Sequence, residues 1–253
     1  MIPLKEMLTS HTALKEGLQE NGKRHKCYNM YTSMDRAMCL LLDGCLYINN
    51  GQSWNDLPDR KQMHGNNAYG LCFSCSTLEN VAMWMLYSGG HGKNGAMLPF
   101  PKSVMLEILS CEELEIGSFD PAEFFVSSGA PLRRDKGDYE IFLTDVVYTD
   151  FQGGPDNTVI LSRGEDHVHA PVSLLDGEDV FTKHYAWSYE KECRLIVRPS
   201  RVWDASVIKI RLSKSAVRLL KENVVRSPVF SGKVCFGKPS QLAGQVQWGA
   251  VRR

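Results

Sequence analysis

The sequence has no apolar run long enough to cross a membrane. A bilayer-spanning helix needs roughly 20 consecutive apolar residues, whereas the apolar runs here are far shorter, and the leucine-rich run at residues 37–42 stops at Asp43. The first residues include Lys5 and Glu6 and contain no apolar core of a secretory signal. We therefore expect a cytoplasmic protein with no membrane partner.

A net charge of either sign is also lacking. Lysine plus arginine and aspartate plus glutamate each number 29. A general nucleic-acid binder typically carries a basic excess, which this composition does not have. Basic stretches at 23–26 and 133–134 leave DNA or RNA binding open.

Several signatures of metal binding and catalysis are missing as well. Cys72-x-x-Cys75 is the only close cysteine pair, and no second pair or His-x-x-x-His follows it. We therefore expect buried, reduced cysteines and no zinc site. The nucleophile elbow Gly-x-Ser-x-Gly is absent, and the glycine-rich turn at 88–95 lacks the Gly-Lys-Ser/Thr of a phosphate loop.

The order of apolar patterns indicates an α+β protein. Residues 1–26 predict an N-terminal helix or arm, and residues 27–253 predict a single α+β catalytic-type domain. Strand patterns cluster after residue 139 without a repeated βαβ unit, which favours a mixed, mostly antiparallel sheet with flanking helices. Residues 49–67 predict an irregular surface loop, and 112–138 a polar insertion. The predicted strands are 27–32, 46–48, 69–76, 96–99, 139–148, 192–197, 207–212 and 234–236, and the predicted helices are 34–43, 77–87, 102–111 and 215–223.

The most unusual stretch, residues 183–197, places two aromatic residues before an acid pair. On a strand, Glu190, Glu192 and Arg194 would share one face, because side chains alternate. Two close carboxylates repel each other, and an arginine beside them holds one of them ionised. Such a carboxylate can stabilise an oxocarbenium-like ribose or act as a base. The alternative is an exposed edge strand bearing a charge pair.

Two other stretches combine aromatic and polar side chains. Tyr31 and Thr32 end the first predicted strand, where they would cradle a nucleotide base or ribose or would belong to the core. Trp84 and Tyr87 lie near one face of the predicted helix 77–87. That placement is typical of a stacking platform or of a core-facing stripe.

Four motifs, in this order, resemble those of an uncharacterised bacterial family. They are Tyr31-Thr32-Ser33, Trp54-Asn55-Asp56, Met83-Trp84-x-x-Tyr87 and Trp187-x-x-Glu190-x-Glu192-x-Arg194. The resemblance covers about residues 28–200, with a weaker match at 234–237. That family is similar to a distant, DarT-like branch of the ADP-ribosyltransferase fold.

The resemblance implies a split, mixed β core around an NAD⁺ cleft, and transfer of ADP-ribose from NAD⁺ to a macromolecule without a metal. Glu192 falls on the late catalytic glutamate of that fold, with Glu190 two residues before it. Arg194 or Lys183 would meet the pyrophosphate or set the charge of the glutamate. The other implied NAD-binding residues are Tyr31, Thr32, Ser76, Trp84 and Tyr87.

The implied biological role is that of a toxin or phage-defence effector. Its acceptor would be DNA, RNA or protein, and an antitoxin or other regulatory partner is a further implied partner. Two alternatives stay open at this point: an NAD glycohydrolase, for which water is the acceptor, and a catalytically inactive module that binds a nucleotide or a partner protein.

Overall fold

The computed structural model describes residues 1–77, 80–88, 94–120, 125–150, 157–175 and 179–227. Within them the chain forms two β-sheets with flanking helices, and nearly all strand pairs are antiparallel. The predicted α+β class is therefore confirmed. The α-helices are α1 Leu4–Met7, α2 His11–Gly22, α3 Met34–Asp43, α4 Leu57–Gly65, α5 Val81–Tyr87, α6 Lys102–Leu109 and α7 Lys214–Asn223.

The strands divide between a large and a small sheet. β9 to β12 form the small sheet, in the order β11-β10-β9-β12, and the other strands form the large one. In chain order they are β1 Cys27–Ser33, β2 Cys45–Asn49, β3 Tyr69–Ser74, β4 Gly95–Pro101, β5 Glu113–Ser118, β6 Val126–Ser127, β7 Leu132–Arg133, β8 Tyr139–Asp145, β9 Val147–Asp150, β10 Thr158–Arg163, β11 Asp166–Pro171, β12 Thr182–His184, β13 Glu192–Pro199, β14 Val207–Arg211 and β15 Val225–Arg226.

The large sheet splits along one edge of β3. The other edge of β3 pairs with β13 over its whole length. On the splitting edge, β1 meets β3 only at Ser74, through Asn29, and β2 meets it only at Gly70, through Asn49. Strands β1 and β2 therefore diverge over the middle of β3 and open a cleft there.

Helix α3 forms because its sequence suits both its ends and its buried face. Ser33 Oγ accepts a hydrogen bond from Arg36 N–H, which caps the first turn, and Gly44 ends the helix at φ +65°. The buried residues recur at helical spacing, so one face packs on the sheet. They are Met34, Ala37, Leu40 and Leu41. The opposite face leaves Arg36 exposed beside the cleft.

The chain passes from the large sheet into the small one through one residue, Val146. Strand β8 ends at Asp145 in the large sheet, and β9 begins at Val147 in the small one. Val146 N–H donates to the carbonyl of Glu192 at 3.0 Å, and Glu192 N–H donates to the Tyr148 hydroxyl at 2.9 Å. Two hydrogen bonds thus connect the junction of the two sheets to Glu192, the first residue of β13.

Residues 1–26 pack on the small sheet as two helices. Their apolar side chains join residues of β9 to β11 in one buried cluster. The N-terminal members of that cluster are Leu4, Met7, Leu14 and Leu18. Burying side chains of this kind stabilises the fold by roughly 1.5–3 kcal/mol each.

Several predicted elements were wrong in extent. The loop predicted at 49–67 contains α4, and the predicted polar insertion at 112–138 contributes β5, which pairs with β14. The helix predicted from residue 77 begins at Val81, because Asn80 caps it by accepting from Ala82 N–H. The strand predicted at 234–236 lies outside the described residues.

No helix in the described parts of the chain is long and apolar enough to cross a membrane.

Candidate active site

A cavity of about 500 Å³ occupies the cleft between β1 and β2. Its floor is the middle of β3, Leu71 to Phe73, which the two diverging strands leave uncovered. Helices α3 and α5 contribute residues to its walls, and Lys183, Glu190 and Glu192 form a charged wall. The volume lies within the usual range of small-molecule sites.

Five charged side chains meet at that wall in one buried network. Lys183 Nζ lies 2.6 Å from Glu190 Oε2, 3.1 Å from Glu192 Oε2 and 3.3 Å from Asp59 Oδ2. Arg194 Nε donates to Glu192 Oε1 at 2.7 Å. All five residues are at least 90% buried. With every group ionised, three carboxylates face two cations, so one negative charge is in excess.

The prediction that Glu190 and Glu192 lie on one strand was wrong. Glu190 ends a 3₁₀ helix, Tyr185–Glu190, whereas Glu192 is the first residue of β13. Lys191 between them takes the left-handed conformation, with φ 45° and ψ 55°. This tight turn brings both carboxylates to the ammonium group of Lys183. Strand alternation had been expected to bring them together on one face beside Arg194.

The two carboxylates have opposite pKa shifts. Burial and the neighbouring charge of Glu192 raise the pKa of Glu190 to about 7. Burial also acts to raise the pKa of Glu192, but the charges of Arg194 and Lys183 outweigh it and hold that pKa well below its usual range. Glu192 is therefore the fixed anion of the pair, and Glu190 is the group that exchanges a proton near neutral pH.

Aromatic side chains fix the charged groups. The Tyr87 hydroxyl donates to Glu190 Oε1 at 2.5 Å. The Lys183 ammonium lies 5.0 Å from the ring centre of Trp187, and the Arg194 guanidinium lies 5.2 Å from that of Trp54. Both indole rings also line the cavity, so they are available to stack on a planar ligand.

Six of the nine residues predicted for the site line this cavity. The six are Tyr31, Thr32, Tyr87, Lys183, Glu190 and Glu192. Trp84 is buried behind Tyr31, with the two ring centres 5.0 Å apart and nearly perpendicular. Ser76 lies beyond the end of β3 and is not among the lining residues, and its carbonyl accepts from Asn29 Nδ2.

Arg194 lies behind the charged wall and has no exposed surface. It donates to Glu192, to Asp59 and, from Nη1, to the Val180 carbonyl at 2.8 Å. Of its two predicted roles, setting the charge of the glutamate fits this position. An exposed cation that does line the cavity is Arg36, at the start of α3.

Arg36, Trp54, Asp59 and Trp187 belong to the site and were not predicted from the sequence. Asp59 completes the ion network, and its segment carries helix-start signals that were overlooked, Asp56 at the N-cap and Pro58 in the first turn. Trp54 and Trp187 belong to the quoted motifs without having been given a role. The signal available in the sequence was that each of these motifs places a tryptophan close to charged residues.

The arrangement is suited to chemistry that develops positive charge on a ligand. When Glu190 is ionised, the network holds a surplus negative charge in a buried wall, where electrostatic stabilisation is stronger than in water. A second carboxylate with a pKa near 7 can take up a proton in the same cavity. Two groups whose surroundings separate their pKa values in this way can take different acid–base roles.

Compared with protein-family models, with curated proteins and with solved structures, the chain gives no match.

Proposed function

We propose that the chain is an ADP-ribosyltransferase-like enzyme that cleaves NAD⁺ in the β1–β2 cavity and transfers ADP-ribose to a macromolecule. The observation that carries this proposal is the pair of wall carboxylates, one held ionised and the other with a pKa of about 7. Breaking the bond between ribose and nicotinamide sends its electron pair to nicotinamide and leaves a cationic ribose. A buried anion stabilises that cation.

Glu192 is the residue assigned to that charge stabilisation. Its carboxylate lies on the cavity wall, and the two cations beside it keep it ionised over the whole physiological pH range. When Glu190 is also ionised, the five-residue network carries a net negative charge. A ribosyl cation in the cavity would offset that charge, so the interaction is strongest in the transition state.

Glu190 is assigned the role of the base that removes a proton from the acceptor. An incoming hydroxyl or amine attacks C1′ of the ribose and must lose its proton, which the ionised Glu190 takes up. Tyr87 orients this carboxylate through its hydrogen bond, and Lys183 binds the second oxygen at 2.6 Å. The reaction needs no metal ion.

The rest of the cavity has the features of a dinucleotide site. The aromatic rings of Tyr31, Trp54 and Trp187 on its walls are suited to nicotinamide or adenine. Arg36 and the hydroxyls of Thr32 and Ser33 lie on the β1–α3 side, where a pyrophosphate would find a cation and hydrogen-bond donors. We therefore propose that the pyrophosphate binds at Arg36 and not at Arg194 or Lys183.

The split of β1 and β2 around the cavity supports an ADP-ribosyltransferase-like, DarT-like fold, in which NAD⁺ occupies such a cleft. Under this proposal the chain acts as a toxin or phage-defence effector in the cytoplasm, on a DNA, RNA or protein acceptor, and an antitoxin would be its regulatory partner.

A second candidate function is nucleotide binding without turnover. Both carboxylate oxygens of Glu192 are engaged by Arg194 and Lys183, and the residue is only 5% exposed. That pairing weakens its attraction for a cation in the cavity and favours an inactive binding module. NAD glycohydrolase activity uses the same cavity with water in place of the macromolecular acceptor.

Nicotinamide release from NAD⁺ by the purified protein, with and without a cell lysate, tests these functions. The transferase predicts release that requires lysate, together with ADP-ribose attached to a lysate macromolecule. The glycohydrolase predicts release without lysate. Binding of NAD⁺ with no release under either condition supports the inactive module and contradicts the transferase.

The catalytic assignment is tested with Glu192→Gln and a matched control, Glu222→Gln. Loss of the anion is expected to slow nicotinamide release at least about a hundredfold. Glu222 forms an exposed ion pair with Arg218 on α7, away from the cavity, so its variant should keep the wild-type rate. Equal rates in all three proteins, at matched thermal stability, would show that Glu192 has no part in the chemistry.

A further inference from the structure

A second cluster of reactive side chains lies on the opposite face of β13. Successive residues of a strand point to opposite faces, so Cys193 points away from the cavity that Glu192 lines. One ring nitrogen of His25 and the sulfurs of Cys75 and Cys193 lie within 4.8 Å of one another. The proposed transfer reaction uses none of these three side chains.

The cluster draws its members from three distant parts of the sequence. His25 precedes β1, Cys75 follows β3, and Cys193 lies in β13. Cys75 N–H donates to the Lys191 carbonyl at 2.9 Å, which fixes this cysteine beside β13. The structure thus separates Cys75 from Cys72, its neighbour in the Cys-x-x-Cys pattern, because Cys72 lines the NAD cavity.

The imidazole of His25 is held in an orientation that suits a metal ligand. Its Nε2 lies 2.6 Å from Asp145 Oδ1, and Arg163 Nη1 donates to the other oxygen, Oδ2, at 3.1 Å. The carboxylate therefore accepts the Nε2 proton, and Nδ1 is the ring nitrogen that can bind a metal once it has lost its own proton. Metal-binding histidines commonly donate their second N–H to a carboxylate in this way.

Cys193 can lose its proton without leaving a buried acceptor unpaired. Its thiol makes a long contact, 3.9 Å, with the carbonyl of Gly22 and also interacts with the sulfur of Cys75. That carbonyl also accepts from the Tyr28 hydroxyl at 2.8 Å, and this hydrogen bond stays when Cys193 becomes a thiolate. If the Gly22 carbonyl had no other partner, the cost of leaving it buried and unpaired would oppose deprotonation of Cys193.

A small cavity adjoins the cluster. Its volume is about 210 Å³, and both His25 and Cys75 line it. Asp145, Tyr148, Arg163 and Lys191 line it as well. A cation bound by the three side chains would have one coordination position facing this space, where a water molecule can reach it.

We propose that His25, Cys75 and Cys193 form a binding site for Zn²⁺ or another thiophilic divalent ion, with its fourth position open to the small cavity. In a tetrahedral zinc site, bonds of about 2.3 Å to sulfur place two sulfurs about 3.8 Å apart. The described atoms need to close by only about 1 Å. On metal binding, the two thiols and the Nδ1–H of His25 each give a proton to solvent, and the two thiolates and the neutral imidazole supply the three electron pairs.

The ligand set determines the class of metal. Two thiolates and an imidazole favour Zn²⁺ and its spectroscopic substitute Co²⁺, whereas Mg²⁺ and Ca²⁺ prefer oxygen ligands. The three proposed ligands lie outside the β1–β2 cavity, although Glu192 lines both cavities, and metal binding is measured without NAD⁺. A failure of one proposal therefore leaves the other standing.

Titration of the reduced, metal-free protein with Co²⁺ tests the site. The expected result is an equimolar end point, with an absorption band that reports cobalt–sulfur bonds. Addition of Zn²⁺ should abolish the band, and Mg²⁺ should not. Zn²⁺ should also raise the thermal unfolding midpoint of the wild-type protein. Wild-type protein that shows neither the band nor the shift in midpoint would overturn the proposal.

Variants identify the ligands. Cys75→Ser, Cys193→Ser and His25→Ala should each lose the band or weaken Co²⁺ binding at least tenfold. Asp145→Asn should weaken it by about 10- to 100-fold, because the carboxylate only orients the imidazole. Cys72→Ser is the matched control and should bind as the wild type does. A band that forms with wild-type affinity in Cys75→Ser, or that is lost in Cys72→Ser, contradicts the site.

Discussion

Arg194 Nη2 donates hydrogen bonds to both carboxylate oxygens of Asp59, at 2.9 and 2.8 Å. Arg194 lies in the central strand β13, and Asp59 lies in the first turn of α4. Because both side chains are buried, this contact anchors α4 to the sheet. It also keeps Trp54, just before α4, beside the Arg194 guanidinium at the cavity.

Asp59→Asn should therefore destabilise the protein strongly. The neutral amide leaves Arg194 and Lys183 with one carboxylate fewer in a buried setting, and breaking a buried ion pair from one side typically costs about 3 kcal/mol or more. Urea unfolding of wild type and variant measures the difference in the free energy of unfolding. Glu222→Gln, which removes one partner of an exposed pair, should change that free energy by less than about 0.5 kcal/mol. Equal, small losses in both variants would show that the buried network contributes no more than a surface pair.

Glu190 should make stability fall as pH rises toward neutrality. Its pKa rises from the ordinary 4.5 to about 7 in the folded state, mainly through burial and the charge of Glu192. Between these values the folded protein holds a proton that the unfolded chain has released. The free energy of unfolding therefore decreases with pH across this window, by at most about 1.4 kcal/mol per pH unit.

The opposite sign holds for Glu192, whose lowered pKa stabilises the protein above about 4.5 and loses that contribution as pH falls. Urea unfolding at a series of pH values between about 5 and 7 measures the slope, to which the raised pKa of His25 adds in the same direction, and comparison with Glu190→Gln separates the part due to Glu190. Glu190→Gln cannot titrate, so its stability should be flatter than that of the wild type in this window. Parallel curves for the two proteins would contradict the raised pKa.

Arg36→Gln should raise the KM for NAD⁺ about tenfold and leave kcat nearly unchanged. An exposed guanidinium that binds a pyrophosphate contributes the same energy before and during the reaction, and a charge-assisted hydrogen bond is worth about 1.5 kcal/mol or more. Steady-state nicotinamide release measures both constants. Arg201→Gln removes an exposed cation that does not line the cavity and should change neither. A fall in kcat with constant KM would place Arg36 in the chemistry and not in binding.

The fold was predicted well where the sequence pattern is local. The apolar periodicity and the Ser33 and Gly44 caps identify α3, and apolar patterns identify β8, β13 and β14. The strand predicted at 139–148 was wrong in extent, since it joins β8 to β9 of the other sheet. The split of the sheet was expected only from the resemblance. It depends on the pairing of both β1 and β2 with one edge of β3, which the sequence pattern does not reveal. Such long-range pairing leaves no pattern in any single segment.

The site was predicted in part, and for a partly mistaken reason. Glu190 and Glu192 do meet at one place, but the left-handed turn at Lys191 brings them there and not strand alternation. Asp59 was not found, because a buried aspartate and an exposed one look alike in sequence. The cluster of His25, Cys75 and Cys193 was likewise hidden, since only the register of β3 with β13 brings the two cysteines together.

The central position of β13 has a consequence for synthesis of the chain. Strand β13 pairs with β3 over six residues and with β8 over seven, so neither partner is complete until residue 199 has been made. A nascent chain that stops short of this strand has the aromatic side of the cavity but lacks Glu192, Arg194 and Cys193. The charged wall can therefore form only after β13 has been made and has paired with β3.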